Sequence, residues 1–415
     1  MHLLLIHQAF ATLGEAGGTR HHEMARHLAA QGHQVTVLAG QVNYLTGQRG
    51  SRGWATREVD DAGVTIIRCY TYPAWHRSFV HRTLSFLSFT ASSFLVGLGV
   101  RKVDLVWGTS PPLFQAFTAW ALARLKRAAF LFEVRDLWPA FAVAVGILRQ
   151  PLLIRLSEGL ERFLYRHADR VVVNSPGFVE HVQARGARSI DVVPNGVDVD
   201  MFILFGDGAE FRRAHDLEDK YVVLYAGAHG MSNDLGVVLE AADQLRDQPD
   251  IVFVLLGDGK EKPELIARTR ELGLPNVRFL PAIPKAEMPL ALAAADACLA
   301  ILKPLEVYKT TYPNKVFDYL AAGRPVILAI DGVIRQLVED AAAGIFVAPG
   351  NPKAMAAAVE RLARDPDLGR RMGAAGRAIV KQGFDRADLA RSLESLMIET
   401  AASRTRRSPS QGSRG

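Results

Sequence analysis

The sequence predicts an α/β protein made of two doubly wound, Rossmann-like domains that face each other across a central cleft. Three observations predict it. Short apolar runs of strand length alternate with helical patterns along the chain. The alternation breaks near residues 199–217 and then restarts. At 415 residues the chain also exceeds what one hydrophobic core ordinarily holds. Strands alternating with helices make βαβ units, and these give a parallel sheet covered on both faces. Ligands of such sheets settle at the carboxyl ends of strands, so the cleft is the expected site.

In the first half, His2–Ile6, Val35–Leu38, Val64–Arg68, Leu105–Trp107, Phe130–Glu133, Arg170–Val173 and Ile190–Val193 read as strands. Helical patterns such as Arg20–Gln31 and Leu113–Lys126 lie between them. In the second half the strands are Tyr221–Ala226, Ile251–Leu256, Val277–Leu280, Ala297–Ile301, Val326–Ala329 and Gly344–Val347. Helices are expected near 234–247, 261–273, 286–295, 314–322, 333–341 and 352–364. The expected domains are therefore 1–200 and 201–384, followed by a terminal helix over 385–400. The last stretch, 401–415, holds four arginines and no acid and reads as a disordered basic tail.

A hydrophobic content of 49% with 22% charged residues is that of a globular protein. Cys69 and Cys298 are too few and too far apart for a disulfide framework, which fits a reducing compartment. The tail supplies four of the six surplus positive charges, so the formal charge of +6 is no sign of a nucleic-acid partner. Local asymmetry carries more information. Residues 62–103 contain no acid but include Arg68, Arg77, Arg82, Arg101 and Lys102. Inside this zone, residues 83–100 (TLSFLSFTASSFLVGLGV) are uncharged. That run reads as a membrane span, a core helix or an interfacial helix. MHLLLIHQAF is too short for a signal peptide and enters a fold at once. The expectation is a cytoplasmic protein, peripheral on the inner face of an anionic membrane.

The most informative stretch is Thr311–Val326, TYPNKVFDYLAAGRPV. A loop at Tyr312-Pro313-Asn314 opens a short helix that carries Asp318 and ends at Gly323. A helix N-terminus offers unpaired N–H groups and a partial positive charge, which suits a phosphate. Lys315 adds a cation there, and Asp318, a turn further on, can accept two ribose hydroxyls. An ordinary loop–helix–strand unit would explain the same residues.

Six further segments accompany it in order. They are GGTRHHEMARHLAAQGHQVTVLAG (17–40), FEVRDLWPAFAVAVGIL (132–148), VVVNSPGFVEHV (171–182), VVPNGVDVDMF (192–202), YAGAHGMSNDLGVVLEAADQL (225–245) and LLGDGKEKPEL (255–265). With them, roughly residues 1–398 resemble a GT-B fold glycosyltransferase of family 4, in the bacterial surface-polysaccharide branch that includes the fucosamine transferases. The resemblance implies a donor pocket mostly in the second domain and a terminal helix that returns to the first. Asp318 then stands at the second Glu of the family's E-x7-E motif, and the amides of Asn314, Lys315 and Val316 face the diphosphate. Gly257, Asp258, Gly259 and Leu280 line base and ribose, although Gly-Asp-Gly is equally a tight turn.

Two departures stand out. Thr310 occupies the place of the first Glu, which in the family touches the transferred sugar. Ala228 and Asn233 replace the Arg and Lys that clamp the diphosphate, leaving that charge to helix N-termini, Lys315 and the loop from Gly227 through His229. In the first domain, Gly17 and Gly18 let backbone approach the diphosphate or acceptor, or else form a structural turn. Glu133, Arg135 and Asp136 end a strand at the cleft. Asp136 is the candidate for orienting or deprotonating the acceptor hydroxyl, with Arg135 as its ion partner, unless the two are a structural pair. His7, His21 and His22 read as ordinary surface or loop residues.

No His/Cys cluster stands at metal-ligand spacing, and neither a metal nor another cofactor is expected. The function implied is a retaining transfer of a sugar from a UDP-sugar to an acceptor hydroxyl, and the acid-free zone 62–103, suited to an anionic membrane surface, points to a polyprenyl-diphosphate-linked sugar as the acceptor. The alternatives are a UDP-sugar 2-epimerase and a catalytically silent partner subunit.

Overall fold

A computed structural model describes residues 1–73, 79–202 and 208–407. Its first sheet contains β1 (His2–His7), β2 (Gln34–Gly40), β3 (Ala55–Val59), β4 (Thr65–Cys69), β5 (Leu105–Ser110), β6 (Ala129–Val134), β7 (Arg170–Val173) and β8 (Ile190–Val192). Their spatial order is β3-β4-β2-β1-β5-β6-β7-β8, and only β3–β4 is antiparallel. The second sheet contains β9 (Tyr221–Ala226), β10 (Ile251–Leu256), β11 (Val277–Leu280), β12 (Ala297–Ile301), β13 (Val326–Ala329) and β14 (Gly344–Phe346). It is parallel throughout, in the order β11-β10-β9-β12-β13-β14.

Most of the strands are apolar runs because helices cover both faces of each sheet. Leu4 and Ile6 of β1 enter one core while Leu3 and Leu5 enter the other. Val222 and Leu224 of β9 are separated from Val223 and Tyr225 in the same way. The strand missing from the sequence reading is β3. Its ATREV residues are mostly exposed at a sheet edge, so no apolar run marks it.

The first sheet is flanked by α1 (Arg20–Ala30), α2 (Phe79–Gly99), α3 (Leu113–Lys126), α4 (Ala140–Ala144), α5 (Pro151–His167) and α6 (Val179–Ala184). The second carries α7 (Ala209–Ala214), α8 (Leu235–Gln244), α9 (Lys262–Leu272), α10 (Met288–Ala293), α11 (Asn314–Ala321), α12 (Val333–Asp340), α13 (Pro352–Arg364) and α14 (Pro366–Gly383). The last helix, α15 (Arg386–Arg407), places Leu389, Ala390, Leu393 and Met397 in the first-domain core beside Met24 and Leu28 of α1.

This helix does not stop at Thr400, as expected, but takes in the first part of the supposed tail. Ala401 and Ala402 favour helix, and Arg404 pairs with Asp169 at 3.3 Å. Residues 408–415 of that tail, and Arg77, lie outside the described residues.

The strand order turns at β1, between β2 and β5, and at β9, between β10 and β12. Loops that leave the carboxyl ends of strands at such a switch diverge and open a crevice. Residues 8–19 and the segment from Gly227 are those loops.

Candidate active site

Residues of both domains enclose a cavity of about 230 Å³. The second domain contributes Gly227 after β9, Gly257 after β10, Lys285 on the turn after β11, and Asn314, Lys315 and Asp318 of α11. The first contributes Gly17, Gly18 and Tyr44. Two glycines are required here, Gly257 by backbone packing and both by their φ. A Cβ on Gly257 would lie 1.9 Å from the Gly227 carbonyl oxygen, and one on Gly227 would meet Lys315 Nζ at 2.9 Å. Their φ angles, +146° and +147°, are also ones that side chains avoid.

Polar chemistry in this cavity centres on α11. The Lys315 ammonium donates to Tyr225 Oη at 2.7 Å and lies 3.4 Å from Asn233 Oδ1. Burial pulls its pKa down to about 7. Asp318 is held above the usual carboxylate range by burial, and the Lys285 ammonium 2.6 Å away opposes that rise. Asn314 Oδ1 is buried without a hydrogen-bond partner among the described residues. Tyr44 Oη accepts the Gly18 amide hydrogen at 2.9 Å.

A larger cavity, about 580 Å³, adjoins it, and Asn314 lines both. Its walls are largely apolar, with Phe86, Phe114, Trp138, Phe141 and Leu153 among them, and Arg82, Arg135 and Asp136 supply the charge. Arg135 Nη1 lies 3.1 Å from His7 Nε2. Burial pushes the Asp136 carboxyl up to about 6 against the opposing field of Arg135.

The structure thus brings together Gly17, Gly18, Gly227, Gly257, Asn314, Lys315 and Asp318 in one cavity, and Arg135 and Asp136 in the next. It removes others. Glu133 is fully buried and lines neither cavity. Its carboxylate accepts from Arg20 Nε at 3.0 Å, His21 Nε2 at 2.9 Å and Trp107 Nε1 at 2.8 Å. Its place at the strand end suggested the cleft, but its side chain turns into the domain.

The Val316 side chain is buried, and its amide donates to Pro313 at 3.1 Å instead of standing free for a phosphate. Asp258, Gly259, Leu280 and His229 line neither cavity. Gly259 packs so tightly against the His229 backbone that a Cβ would lie 2.3 Å from its carbonyl oxygen. The Leu280 carbonyl accepts from Lys262 at 2.8 Å. His229 is buried with both ring nitrogens unpartnered among the described residues. Thr310 is taken up by the domain contact, its carbonyl accepting from Ser175 Oγ at 2.5 Å.

His7, His21 and His22 are likewise not surface residues. His7 bonds Thr109 at 2.8 Å, His21 pairs with Glu133, and His22 pairs with Asp60 at 3.0 Å. Lys285, Tyr44 and Arg82 were not foreseen. Lys285 and Tyr44 had no local signal, and Arg82 was read only as part of the acid-free basic zone.

Two Rossmann-like domains of this kind make up the GT-B fold. Residues 16–196 match the glycosyl transferase 4-like domain, and residues 207–379 match the glycosyl transferases group 1 domain. The chain belongs to the GT-B glycosyltransferases that join these two domains. It is 28% identical over 353 residues to the Escherichia coli K12 protein WcaI, provisionally named a colanic acid biosynthesis glycosyl transferase. That match spans 82% of this chain and 86% of WcaI. The fold is similar to that of sucrose-phosphate synthase from Thermosynechococcus elongatus, with TM-score 0.79 and 18% identity, covering 97% and 99% of the two chains. It is also similar to Anabaena HepE in complex with UDP-glucose, with TM-score 0.71 and 16% identity, covering 96% and 100%.

Proposed function

We propose that this glycosyltransferase moves a sugar from a UDP-sugar to the hydroxyl of a lipid-linked saccharide, with retention of configuration, in cell-surface polysaccharide or glycolipid assembly. The observation that carries the reading is the pair of adjoining cavities. The smaller joins the glycine segment of one domain to Lys315 and Asp318 of the other, and the larger holds Asp136 within apolar walls. The smaller cavity takes the nucleotide: Asp318 accepts the ribose hydroxyls, and the Lys315 ammonium with the amides of Asn314 and Lys315 meets the diphosphate. The larger takes the acceptor, with its hydroxyl toward Asp136.

In the transfer, the acceptor oxygen bonds to the anomeric carbon on the face from which the diphosphate leaves. The bond from that carbon to the diphosphate oxygen breaks, and the hydroxyl proton passes to the departing diphosphate. Asp136 orients that hydroxyl and Lys315 stabilises the leaving charge. The UDP-glucose in the HepE complex and the colanic acid assignment of WcaI support the donor and the pathway class.

Contact with an anionic membrane belongs to the same reading, through a face narrower than residues 62–103. Among the described residues no helix is long and apolar enough to cross a membrane. Instead, α2 buries Phe89, Ser92 and Ser93 and exposes Val80, Leu84, Leu87, Leu95 and Leu98. Exposed Leu152 and Leu156 of α5 carry a second apolar patch, and Arg82 of α2 and Leu153 of α5 both line the larger cavity. Arg68 does not contribute, because it pairs with Glu15 and Glu58.

The test is UDP release from a panel of UDP-sugars, with and without a bacterial polyprenyl-linked sugar extract. Lipid-dependent release from one donor is expected. An isomerised sugar without transfer would replace the reading by the epimerase, and release from no donor would replace it by the silent subunit.

A further inference from the structure

Lys285 enters the smaller cavity with only 10% of its side chain exposed, and its ammonium takes Asp318 Oδ1 at 2.6 Å. Its backbone is engaged as well. The Lys285 amide donates to the Glu15 carbonyl at 3.3 Å, and the Ala286 amide donates to the Leu13 carbonyl at 3.1 Å. Both carbonyls belong to the segment that leads to Gly17 and Gly18 in the other domain. One residue therefore touches the donor-side carboxylate with its side chain and the glycine segment with its peptide.

The surroundings are charged and closed. Glu23 of α1 pairs with Arg386 of α15 at 2.7 Å and accepts from Thr19 Oγ1 at 2.5 Å. Among the described residues, Lys285, Glu23 and Arg386 are charged groups whose fields act on Asp318. A carboxylate shielded in this way tends to keep its proton, and a protonated carboxyl has lost part of its capacity to accept two hydroxyls. An ammonium in contact opposes that tendency.

We propose that Lys285 is a positioning residue of the donor site. It holds the Asp318 carboxylate ionised and aimed for the two ribose hydroxyls of a nucleotide, and its peptide ties that carboxylate to the glycine segment of the first domain. This rests on the smaller cavity being the nucleotide pocket.

The experiment measures the affinity of UDP and of uridine by calorimetry between pH 5 and pH 8.5, for the wild-type chain, Lys285→Met, Lys285→Arg and Asp318→Ala. Lys285→Met weakens both ligands by one common factor, about tenfold, because the ribose is common to both. It also moves the acid limb of the affinity profile to higher pH, and Lys285→Arg returns the limb to its wild-type position. Lys285→Gln replaces Lys285→Met if the latter does not fold.

A loss confined to UDP would assign the lysine to the diphosphate and overturn the proposal. So would a lower Tm with both affinities and the acid limb unmoved, since that is a structural ion pair only. Asp318→Ala binding UDP as tightly as the wild type would instead overturn the nucleotide reading of the cavity itself.

Discussion

Lys315 donates to the phenol oxygen of Tyr225 at 2.7 Å, and among the described residues no carboxylate forms an ion pair with it. Its ammonium also lies 3.9 Å from the centre of the Tyr225 ring. A cation kept in a cavity without an anion is poised for one that arrives with a ligand.

The pH dependence follows from the two protonation states. Burial lowers Lys315 from 10.5 to about 7. Between those values the unfolded chain holds a proton that the folded chain has lost, so the stability contributed here rises with pH across that window. Below about pH 7 the cost of burying the charge is fully present. A diphosphate raises the lysine again. The prediction is that UDP binding at pH 8 takes up close to one proton, read by calorimetry in buffers of different ionisation enthalpy. Lys315→Met abolishes that uptake, weakens UDP by about tenfold or more, and raises the Tm of the empty protein. Proton uptake that persists in the variant would remove Lys315 from the diphosphate.

Asp136 titrates in the opposite sense. Its pKa is raised from 3.8 to about 6, so ionising it costs folding stability as pH rises through that interval. If the carboxylate orients the acceptor hydroxyl, kcat/KM rises with pH through about 6 and then levels. Asp136→Asn is predicted to lower kcat by about a hundredfold, leave UDP affinity unchanged and raise Tm at pH 7. Full turnover in Asp136→Asn would show that the residue only shapes the cavity wall.

For the membrane face, the double substitution Leu84→Glu with Leu87→Glu is predicted to abolish co-sedimentation with anionic vesicles. Both side chains are about half exposed, at 45% each, so Tm and UDP affinity should not move. Binding of the wild type should also weaken with salt, since part of it is electrostatic. Vesicle binding that survives the double substitution would place the contact elsewhere.

Much of the fold was legible because parallel strands buried on both faces are written as apolar runs. Tyr221–Ala226, Ile251–Leu256, Val277–Leu280, Ala297–Ile301 and Val326–Ala329 have their observed bounds in the sequence. The exposed β3 has no such run and stayed hidden. In the candidate site, the shared position of Lys315 and Asp318 at one cavity was legible because helix periodicity fixes which side of α11 they share. Side-chain direction at a strand end was not, and Glu133 shows why. The residues at 133, 135 and 136 are near neighbours in sequence, yet one turns into the core and the other two reach the cavity. Lys285 was hidden for a different reason: its importance comes from contacts with residues 13, 15 and 318, which no local pattern encodes.

Glu133 yields the last prediction. Its carboxylate is the shared acceptor of Arg20, His21 and Trp107, and Arg20 also donates to the carbonyls of Val193 at 2.8 Å and Pro194 at 2.7 Å. The cluster therefore ties α1, β5, β6 and the segment after β8 together beneath the glycine segment. His21 and Arg20 hold the Glu133 carboxyl far below the usual carboxylate range, although burial acts the other way. The stability it contributes is present above the ordinary glutamate value and is lost as pH falls through the folded value. Glu133→Ala leaves the Arg20 guanidinium buried without its anion, at a cost of about 3–5 kcal/mol. The expected result is a Tm lower by about 10 °C with kcat per folded molecule unchanged. A Glu133→Ala protein that melts normally but has lost turnover would return this residue to the chemistry.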